Sequence, residues 1–283
     1  MTLTGNAKKA GVMGWPIGHS LSPALHGYWL RHHRIDGAYV PMGVRPEHLA
    51  AALRALPVLG FAGCNLTIPH KEAALGLMDR VDPVARRIGA VNTVLVGAEG
   101  MLEGRNTDGF GFIENLRGAI AGWTGRRGPA VVIGAGGAAR AILVALIDAG
   151  APEIRLVNRT EARAAALATE IGGPIRTIVW QRRGMALREA ALLVNATNRG
   201  MTGEAALDLP LDDLPQEAVV TDIVYAPLET PLLAAARRRG NPVVDGLGML
   251  LHQARPGFAA WFGVAPSVTP ALRAAVMESL ARE

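Results

Sequence analysis

The fold is decided by the stretch Ala130-Val131-Val132-Ile133-Gly134-Ala135-Gly136-Gly137-Ala138-Ala139. Its first four residues are all apolar, as a parallel strand buried on both faces requires. The spacing G-x-G-x-x-A follows, and an alanine-rich segment then predicts a helix to about Ala149. In this strand–turn–helix setting the glycines predict a dinucleotide site, because they permit a tight turn and close approach of a pyrophosphate to the helix N-terminus. The alternative is a turn that needs glycine for packing alone.

The next predicted strand, Ile154 to Val157, indicates which dinucleotide this turn would bind. A site for NAD has an acidic residue at the end of this strand, which holds the ribose hydroxyls. Here the strand is followed by Asn158-Arg159-Thr160-Glu161-Ala162-Arg163, and Glu161 falls within the following helix. Two arginines and small polar residues suit a 2′-phosphate, so the sequence favours NADP over NAD.

Three more apolar runs continue this half of the chain, at 192–197, 218–225 and 242–244. Asp222 and Tyr225 lie at the carboxyl end of the second run, where ligands of open α/β sheets bind. Alternating strands and helices of this kind predict an α/β fold with a Rossmann-like domain.

The first half of the chain contains a second notable stretch, Asn65-Leu66-Thr67-Ile68-Pro69-His70-Lys71. It predicts the end of a strand at 61–66 and a helix from Lys71 to about Met78. The other lysines are Lys8 and Lys9, placed in a polar N-terminal tail, and arginine supplies the remaining cations. Lysine can give up a proton near neutral pH and arginine cannot, so Lys71 is a candidate proton donor. An exposed cation at a helix start is the alternative.

Other polar positions allow both a structural and a ligand-binding role. Ser22 before Pro23 predicts a helix N-cap, and with Ser20 it also predicts a seat for a carboxylate or phosphate. Asn92 lies within an apolar run, so its side chain needs a ligand or a neighbouring loop as partner. Asp108 opens a helix from Phe110 to about Ile120, as an N-cap or as a carboxylate facing a ligand.

Composition limits the classes of protein that the sequence can encode. The 283 residues carry a net charge of +5, which suits anionic small molecules; scattered arginines without aromatic interleaving argue against nucleic acid. We expect no signal peptide and no membrane span, and therefore a cytoplasmic protein. The single cysteine, Cys64, excludes an internal disulfide and is expected in a buried strand. No histidine or cysteine cluster has metal-ligand spacing, and His19, His26, His70 and His252 are expected to make local hydrogen bonds.

Taken in order, these stretches closely resemble the shikimate dehydrogenase family along nearly the whole chain. The matching segments are Ser20 to Pro23, Asn65 to Lys71, Ala90 to Thr93, Gly104 to Asp108, Gly134 to Ala138, Asn158 to Thr160, and Asp245 to Leu250 with Gln253. The sequence departs from the family pattern at Leu66, Ile223 and Asn198, which bears on packing and cofactor fit.

The resemblance implies a role for each matching position. The catalytic pair would be Lys71 and Asp108. The substrate-binding residues would be Ser20, Ser22, Asn65, Thr67, Asn92, Tyr225 and Gln253, with the two serines on a carboxylate. The cofactor-binding residues would be Gly134, Ala135, Gly136, Gly137, Ala138, Asn158, Arg159, Thr160, Arg163, Ile223 and Gly246.

The resemblance also implies an organisation and a reaction. We expect a substrate-binding α/β domain at 1–107 plus 246–283, to which the C-terminal helices return, and an NADP-binding domain at 108–245. The reaction would be reversible reduction of 3-dehydroshikimate to shikimate by NADPH, in aromatic amino acid biosynthesis. A quinate/shikimate dehydrogenase that uses NAD and a non-catalytic NADP-dependent regulator are the rivals. Homodimerisation, and which of Lys71 and Asp108 acts as base in the oxidation, stay open.

Overall fold

The computed structural model describes residues 3–281, and these residues form two compact units, 3–108 with 250–281 and 109–249. Each unit contains a six-stranded sheet. The predicted α/β class is confirmed, and so is the return of the C-terminal helices to the first unit.

The sheet of the first unit is mixed, with the strand order β2-β1-β3-β5-β6-β4. Its strands are β1 Lys8–Gly14, β2 Gly37–Gly43, β3 Phe61–Leu66, β4 Arg80–Val81, β5 Thr93–Val96 and β6 Leu102–Arg105. β1 pairs in parallel with β2 and β3, whereas β5 pairs antiparallel with β3 and β6. Its helices are α1 Ser22–His32, α2 Leu49–Val58, α3 Pro83–Ile88, most of α8 (Leu247–Phe262) and α9 Pro270–Leu280. β1 and β3 are central and parallel, so their carboxyl ends lie side by side. The Asn65–Lys71 stretch leaves the sheet at this end.

The sheet of the second unit is parallel throughout, with the order β12-β11-β10-β7-β8-β9. Its strands are β7 Ala130–Ile133, β8 Ile154–Val157, β9 Ile175–Ile178, β10 Leu192–Asn195, β11 Val219–Asp222 and β12 Val243–Val244, and its helices are α4 Asp108–Ala119 (from Gly109), α5 Gly137–Asp148, α6 Glu161–Ile171 and α7 Pro231–Arg238.

The apolar run of β7 is buried on both faces, as its sequence predicts. Ala130 and Val132 belong to the apolar cluster on one face, and Val131 and Ile133 belong to the cluster on the other. All four residues are at most 2% exposed. Burying both faces in this way is what a strand at the centre of a doubly wound sheet requires.

Some local predictions were wrong in detail. Ser22 is the first residue of α1 and does not act as an N-cap; Leu21 takes that position with helical φ and ψ, so the backbone turns one residue earlier than expected. The predicted helix after Lys71 is a short 3-10 segment, Ala73–Leu77. Lys8 and Lys9 begin β1, so they do not lie in a tail. Strand β9 and helix α7 were not predicted.

Candidate active site

The ammonium of Lys71 and the carboxylate of Asp108 form a direct ion pair in the first unit. Lys71 Nζ lies 2.6 Å from Asp108 Oδ2, and the two side chains are 18% and 5% exposed. Such a short, charge-assisted contact at a largely buried site is stronger than a surface ion pair. Lys71 is therefore more than an exposed helix-start cation.

A tight turn at the end of β3 holds Lys71 in place. The Thr67 N–H donates to Met13 O at 2.9 Å, and the His70 N–H donates to Thr67 O at 2.9 Å. The ring of His70 bonds through Nε2 to Val44 O at 2.8 Å, which confirms the local hydrogen-bonding role expected for this histidine. Lys71 O accepts the N–H of Val91 at 2.8 Å. The backbone on both sides of the lysine is thus fixed before any ligand arrives.

Asn92 holds Asp108 from the side opposite Lys71. Its Nδ2 donates to Asp108 Oδ1 at 2.7 Å and lies 3.2 Å from Gln253 Oε1. Its Oδ1 accepts the Thr107 N–H at 2.9 Å. Asp108 opens α4, and its N–H donates to Asn106 Oδ1 at 3.0 Å. Asp108 is therefore an oriented carboxylate, and a capping role alone does not account for its position.

Asn65 extends the same network towards β2. Its Nδ2 donates to Asn92 O and Thr93 Oγ1, both at 3.1 Å, so both of its hydrogens have partners within the protein. Its Oδ1 accepts the phenol hydrogen of Tyr39 at 2.7 Å, and a second lone pair remains for a hydroxyl donor. Both buried amides, Asn65 and Asn92, are thus preorganised.

Tyr39 and Thr107 were missed as site residues. Both are buried and hydrogen-bonded within this cluster. A buried tyrosine hydroxyl needs a partner, so Tyr39 carried a usable signal. The register that brings it to Asn65 could not be read from the sequence.

The two serines lie at the start of α1. Ser20 Oγ accepts the N–H of Ser22 at 3.4 Å. Ser22 is buried and Ser20 is half-buried. Thr67 is half-buried at the exit of β3, with its methyl group against Gly14. The first unit thus contains six of the predicted substrate-binding positions, and hydrogen bonds link three of them, Asn65, Asn92 and Gln253.

Asp222 and Tyr225 belong to the second unit. Asp222 ends β11, is buried, and accepts hydrogen bonds from Asn195 Nδ2, Thr230 Oγ1 and the Val224 N–H at 2.7–3.0 Å. Burial raises the pKa of this carboxyl above its ordinary value. The hydrogen-bond set makes Asp222 a structural carboxylate that fixes the loop ahead of Tyr225, which is half-buried.

The glycine turn after β7 fits a dinucleotide. Gly134 has φ +111°, and a Cβ there would lie 3.0 Å from Ala196 O, so glycine is required. Gly136 is the N-cap position of α5 without a capping side chain, and a Cβ there would meet open space. The N–H groups of Gly137 and Ala138 begin the helix beside that space. An open, uncapped N-terminus is what a pyrophosphate needs.

The remaining positions predicted for the cofactor lie in two places in the same unit. At the tip of β8, Asn158 Nδ2 donates to Thr160 O at 2.9 Å, and Thr160 is the N-cap position of α6. Arg159 and Arg163 are exposed there. Elsewhere Gly246 packs against the carbonyl of Ile223 so closely that a Cβ would collide with it.

Two further features bear on the kind of site. Within residues 3–281, no group of three or more His, Cys, Asp or Glu side chains is arranged to hold a metal ion. In that part of the chain, no helix combines the length and apolar character of a bilayer crossing.

Cys64 is buried in β3, as expected, and burial raises the pKa of its thiol.

Comparisons with known protein families match the two units separately. Residues 12–94 match the model of the shikimate dehydrogenase substrate binding domain. Residues 124–225 match the model described as shikimate / quinate 5-dehydrogenase.

Individual relatives match along nearly the full chain. A shikimate dehydrogenase (NADP(+)) of Paramagnetospirillum magneticum is 60% identical over 275 residues, which cover 97% of this chain and 100% of that protein. The crystal structure of shikimate 5-dehydrogenase from Thermus thermophilus in complex with NADP(H) and shikimate is 42% identical, with a TM-score of 0.85 over 97% of this chain and 99% of that one. Quinate dehydrogenase from Corynebacterium glutamicum in complex with NAD is 31% identical, with a TM-score of 0.89 over 96% and 99%.

Proposed function

The chain belongs to the shikimate dehydrogenase family, and we propose that it catalyses the reversible reduction of 3-dehydroshikimate to shikimate with NADPH. It is an oxidoreductase of the shikimate pathway, and its cofactor is NADP. The observation that carries the proposed chemistry is the buried pair of Lys71 and Asp108 on a rigid amide network.

The reaction needs a proton donor at the ketone oxygen. NADPH, when bound, supplies the hydride to the ketone carbon. The C=O π electrons then move onto the oxygen, and the ammonium of Lys71 gives this oxygen a proton. General acid catalysis of this kind contributes roughly 10²–10⁴-fold. Asp108 keeps the lysine directed by its 2.6 Å contact, and in the oxidation the proton returns to this pair.

The substrate contacts follow the polarity of each group. Ser20 and Ser22 hold the substrate carboxylate at the start of α1, where free N–H groups add positive potential. The ring hydroxyls are held by the hydrogen-bonding side chains of Asn65, Thr67, Asn92 and Gln253. Tyr225 of the second unit stays a predicted substrate-binding residue. The observed orientation of Asn65 supports this assignment, because its free lone pair on Oδ1 can accept a hydroxyl hydrogen.

The choice of NADP over NAD rests on the tip of β8. The cofactor residues there are Asn158, Arg159, Thr160 and Arg163, and arginine binds phosphate bidentately. Glu161 is the first residue of α6, so no carboxylate occupies the tip itself. The pyrophosphate is assigned to the turn of Gly134 to Ala138, and the nicotinamide end to Ile223 and Gly246.

The organisation of the chain follows from these assignments. Residues 1–107 plus 246–283 bind substrate and 108–245 bind NADP; the observed compact units have almost the same bounds. We propose a cytoplasmic location, and the single buried thiol of Cys64 is compatible with a reducing compartment. Light scattering of the purified protein decides between a monomer and a homodimer.

One assay tests the proposed function. Purified protein is given shikimate or quinate with NADP⁺ or NAD⁺, and formation of reduced cofactor is followed at 340 nm. The proposal expects the highest kcat/KM for shikimate with NADP⁺. Faster turnover of quinate with NAD⁺ would establish the quinate-type rival. Binding of NADP⁺ by calorimetry without any turnover would establish the regulatory rival.

A further inference from the structure

The location of Thr93 in the sheet places its side chain beside that of Asn65. Thr93 is the first residue of β5, and Asn65 is its register partner in the antiparallel pairing of β3 with β5. Residues directly opposite each other in such a pair present their side chains to the same face. Thr93 is 1% exposed, so its hydroxyl needs partners within the protein.

The hydroxyl of Thr93 joins the two buried amides of the site. Its oxygen accepts a hydrogen from Asn65 Nδ2 at 3.1 Å, and its own hydrogen goes to Asn92 Oδ1 at 2.9 Å. A threonine hydroxyl has one hydrogen to donate, and this hydrogen goes to Asn92 rather than to Thr107 Oγ1, which is farther away at 3.4 Å. Thr93 therefore connects a predicted substrate-binding residue to the residue that holds Asp108.

These two bonds belong to a chain in which every donor points towards Asp108. The chain begins where the phenol of Tyr39 donates to Asn65 Oδ1 at 2.7 Å, and it ends where Asn92 Nδ2 donates to Asp108 Oδ1 at 2.7 Å. Hydrogen bonds in series polarise one another. Because the Thr93 hydroxyl donates towards a carboxylate, its oxygen is a stronger acceptor for Asn65.

The other partners of the two amides fix which end of each amide faces Thr93. Asn65 Nδ2 also donates to Asn92 O at 3.1 Å, and Asn92 Oδ1 also accepts the Thr107 N–H at 2.9 Å. Turning either amide over would bring oxygen against oxygen at Asn92 O or nitrogen against N–H at Thr107. Thr93 is consequently a fixed link between two amides of defined orientation.

We propose that Thr93 is a positioning residue that anchors the amide of Asn65 to Asn92, so that Asn65 Oδ1 faces a substrate hydroxyl. The inference rests on the proposed function for the identity of the substrate. Thr93 does not need to touch the substrate, because it acts through Asn65.

Loss of the Thr93 hydroxyl affects the two amides unequally. One hydrogen of Asn65 Nδ2 loses its partner, and Asn65 keeps only its bond to Asn92 O on that side. Asn92 keeps both the Thr107 N–H and its direct bond to Asp108. The position of Thr93 should therefore matter more for substrate binding than for the catalytic pair.

The test is Thr93→Val, which removes the hydroxyl and keeps a β-branched side chain in β5. Calorimetry measures the Kd for shikimate, steady-state assays measure kcat, and the melting temperature is recorded. We expect the Kd to rise roughly tenfold, as an unpaired buried donor implies, with kcat within about threefold of the wild type. A Kd within twofold of the wild type would overturn the proposal, whatever the melting temperature.

Two further variants separate the hydroxyl from the rest of the side chain. Thr93→Ser keeps the hydroxyl and should bind shikimate with nearly the wild-type Kd; binding as weak as that of Thr93→Val would show that the methyl group matters instead. Thr177→Val is the matched control, since Thr177 is an exposed strand residue of β9. Its Kd should equal that of the wild type.

A double-mutant cycle tests whether Thr93 acts through Asn65. In an Asn65→Ala background, Thr93→Val should leave the Kd for shikimate unchanged, because the amide that it positions is absent. A further rise of roughly tenfold in that background, as additive effects would give, would contradict the proposed route.

If Thr93→Val does not fold, Thr93→Cys is compared with Thr93→Ser, because the two side chains differ in a thiol, which is a weak hydrogen-bonding group, and a hydroxyl. A higher Kd for Thr93→Cys supports the proposal and equal Kd values overturn it. Wild-type protein that binds shikimate without turnover counts against the proposed function alone. Absence of shikimate binding by the wild type would overturn both.

Discussion

Lys71 and Asp108 are 37 residues apart in the chain, yet Nζ and Oδ2 lie 2.6 Å apart. A turn after β3 supplies the lysine and the first residue of α4 supplies the carboxylate. The second carboxylate oxygen is held by Asn92, so the pair has one defined orientation.

Lys71→Ala is expected to lower kcat about 10²–10⁴-fold, because it removes the proton donor. Lys71→Arg should show a similarly low kcat although it keeps the positive charge, since arginine retains its proton near neutral pH. Steady-state oxidation of NADPH with 3-dehydroshikimate measures both. The control is Lys9→Ala, which should not affect turnover, because the Lys9 ammonium bonds to Leu59 O near the start of β1. Near-normal kcat for Lys71→Ala would rule out the assigned role.

Arg159→Ala is expected to raise the KM for NADPH roughly 10–100-fold and to leave the KM for NADH unchanged, because a charge-assisted bond to the 2′-phosphate contributes about 1.5–3 kcal/mol. Arg182→Ala removes another exposed arginine of the same unit and serves as the control. Equal changes in the KM values for NADPH and NADH would place Arg159 away from the 2′-phosphate.

Asp222→Ala is expected to lower the free energy of unfolding by about 3 kcal/mol, since it leaves the buried donors of Asn195, Thr230 and Val224 without their acceptor. Urea unfolding followed by circular dichroism measures the change. Asp208→Ala breaks an ion pair with Arg183 on the surface, where the aspartate side chain is 79% exposed. The Asp208→Ala control should lower the free energy of unfolding by under about 1 kcal/mol. Equal losses in the two variants would show that the buried hydrogen bonds of Asp222 add nothing to stability.

His26 should make stability depend on pH in a defined direction. Burial lowers the pKa of His26 from 6.5 to about 3, and neither ring nitrogen has a hydrogen-bond partner among residues 3–281. The hydrogen-bonding role expected for this histidine was therefore wrong. Between the two pKa values the unfolded chain binds a proton that the folded chain does not, so stability is complete above the unfolded pKa and falls as pH decreases.

From this linkage, protonation of unfolded His26 costs about 2 kcal/mol of stability between pH 7 and pH 5. His26→Phe keeps a ring that can stack on Tyr39. Between pH 7 and pH 5 the free energy of unfolding of this variant should fall by about 2 kcal/mol less than that of the wild type. His48→Phe, at an exposed histidine, should retain the wild-type pH dependence. Parallel curves for wild type and His26→Phe would show that His26 is protonated in the folded state.

The second unit, which carries the proposed cofactor site, was the easier of the two units to predict from the sequence. The turn from Gly134 to Ala138 follows β7 and opens α5, as its spacing indicates. Each element there depends on a few consecutive residues, since an apolar run predicts a strand buried on both faces and glycine permits φ +111°. Strand β9, with the sequence Ile-Arg-Thr-Ile, was missed because it is short, lies at the sheet edge and is only partly buried.

The sequence by itself determined the α/β class, the glycine turn and the candidate residue types, because these depend on spacing along the chain. Only the tertiary structure decided that Tyr39 bonds to Asn65, that Asn92 orients Asp108, and that Asp222 is held by hydrogen bonds within the protein. The reason is physical. A hydrogen bond needs two atoms within about 3 Å, and strand order and register, rather than distance along the chain, decide which remote side chains meet this condition.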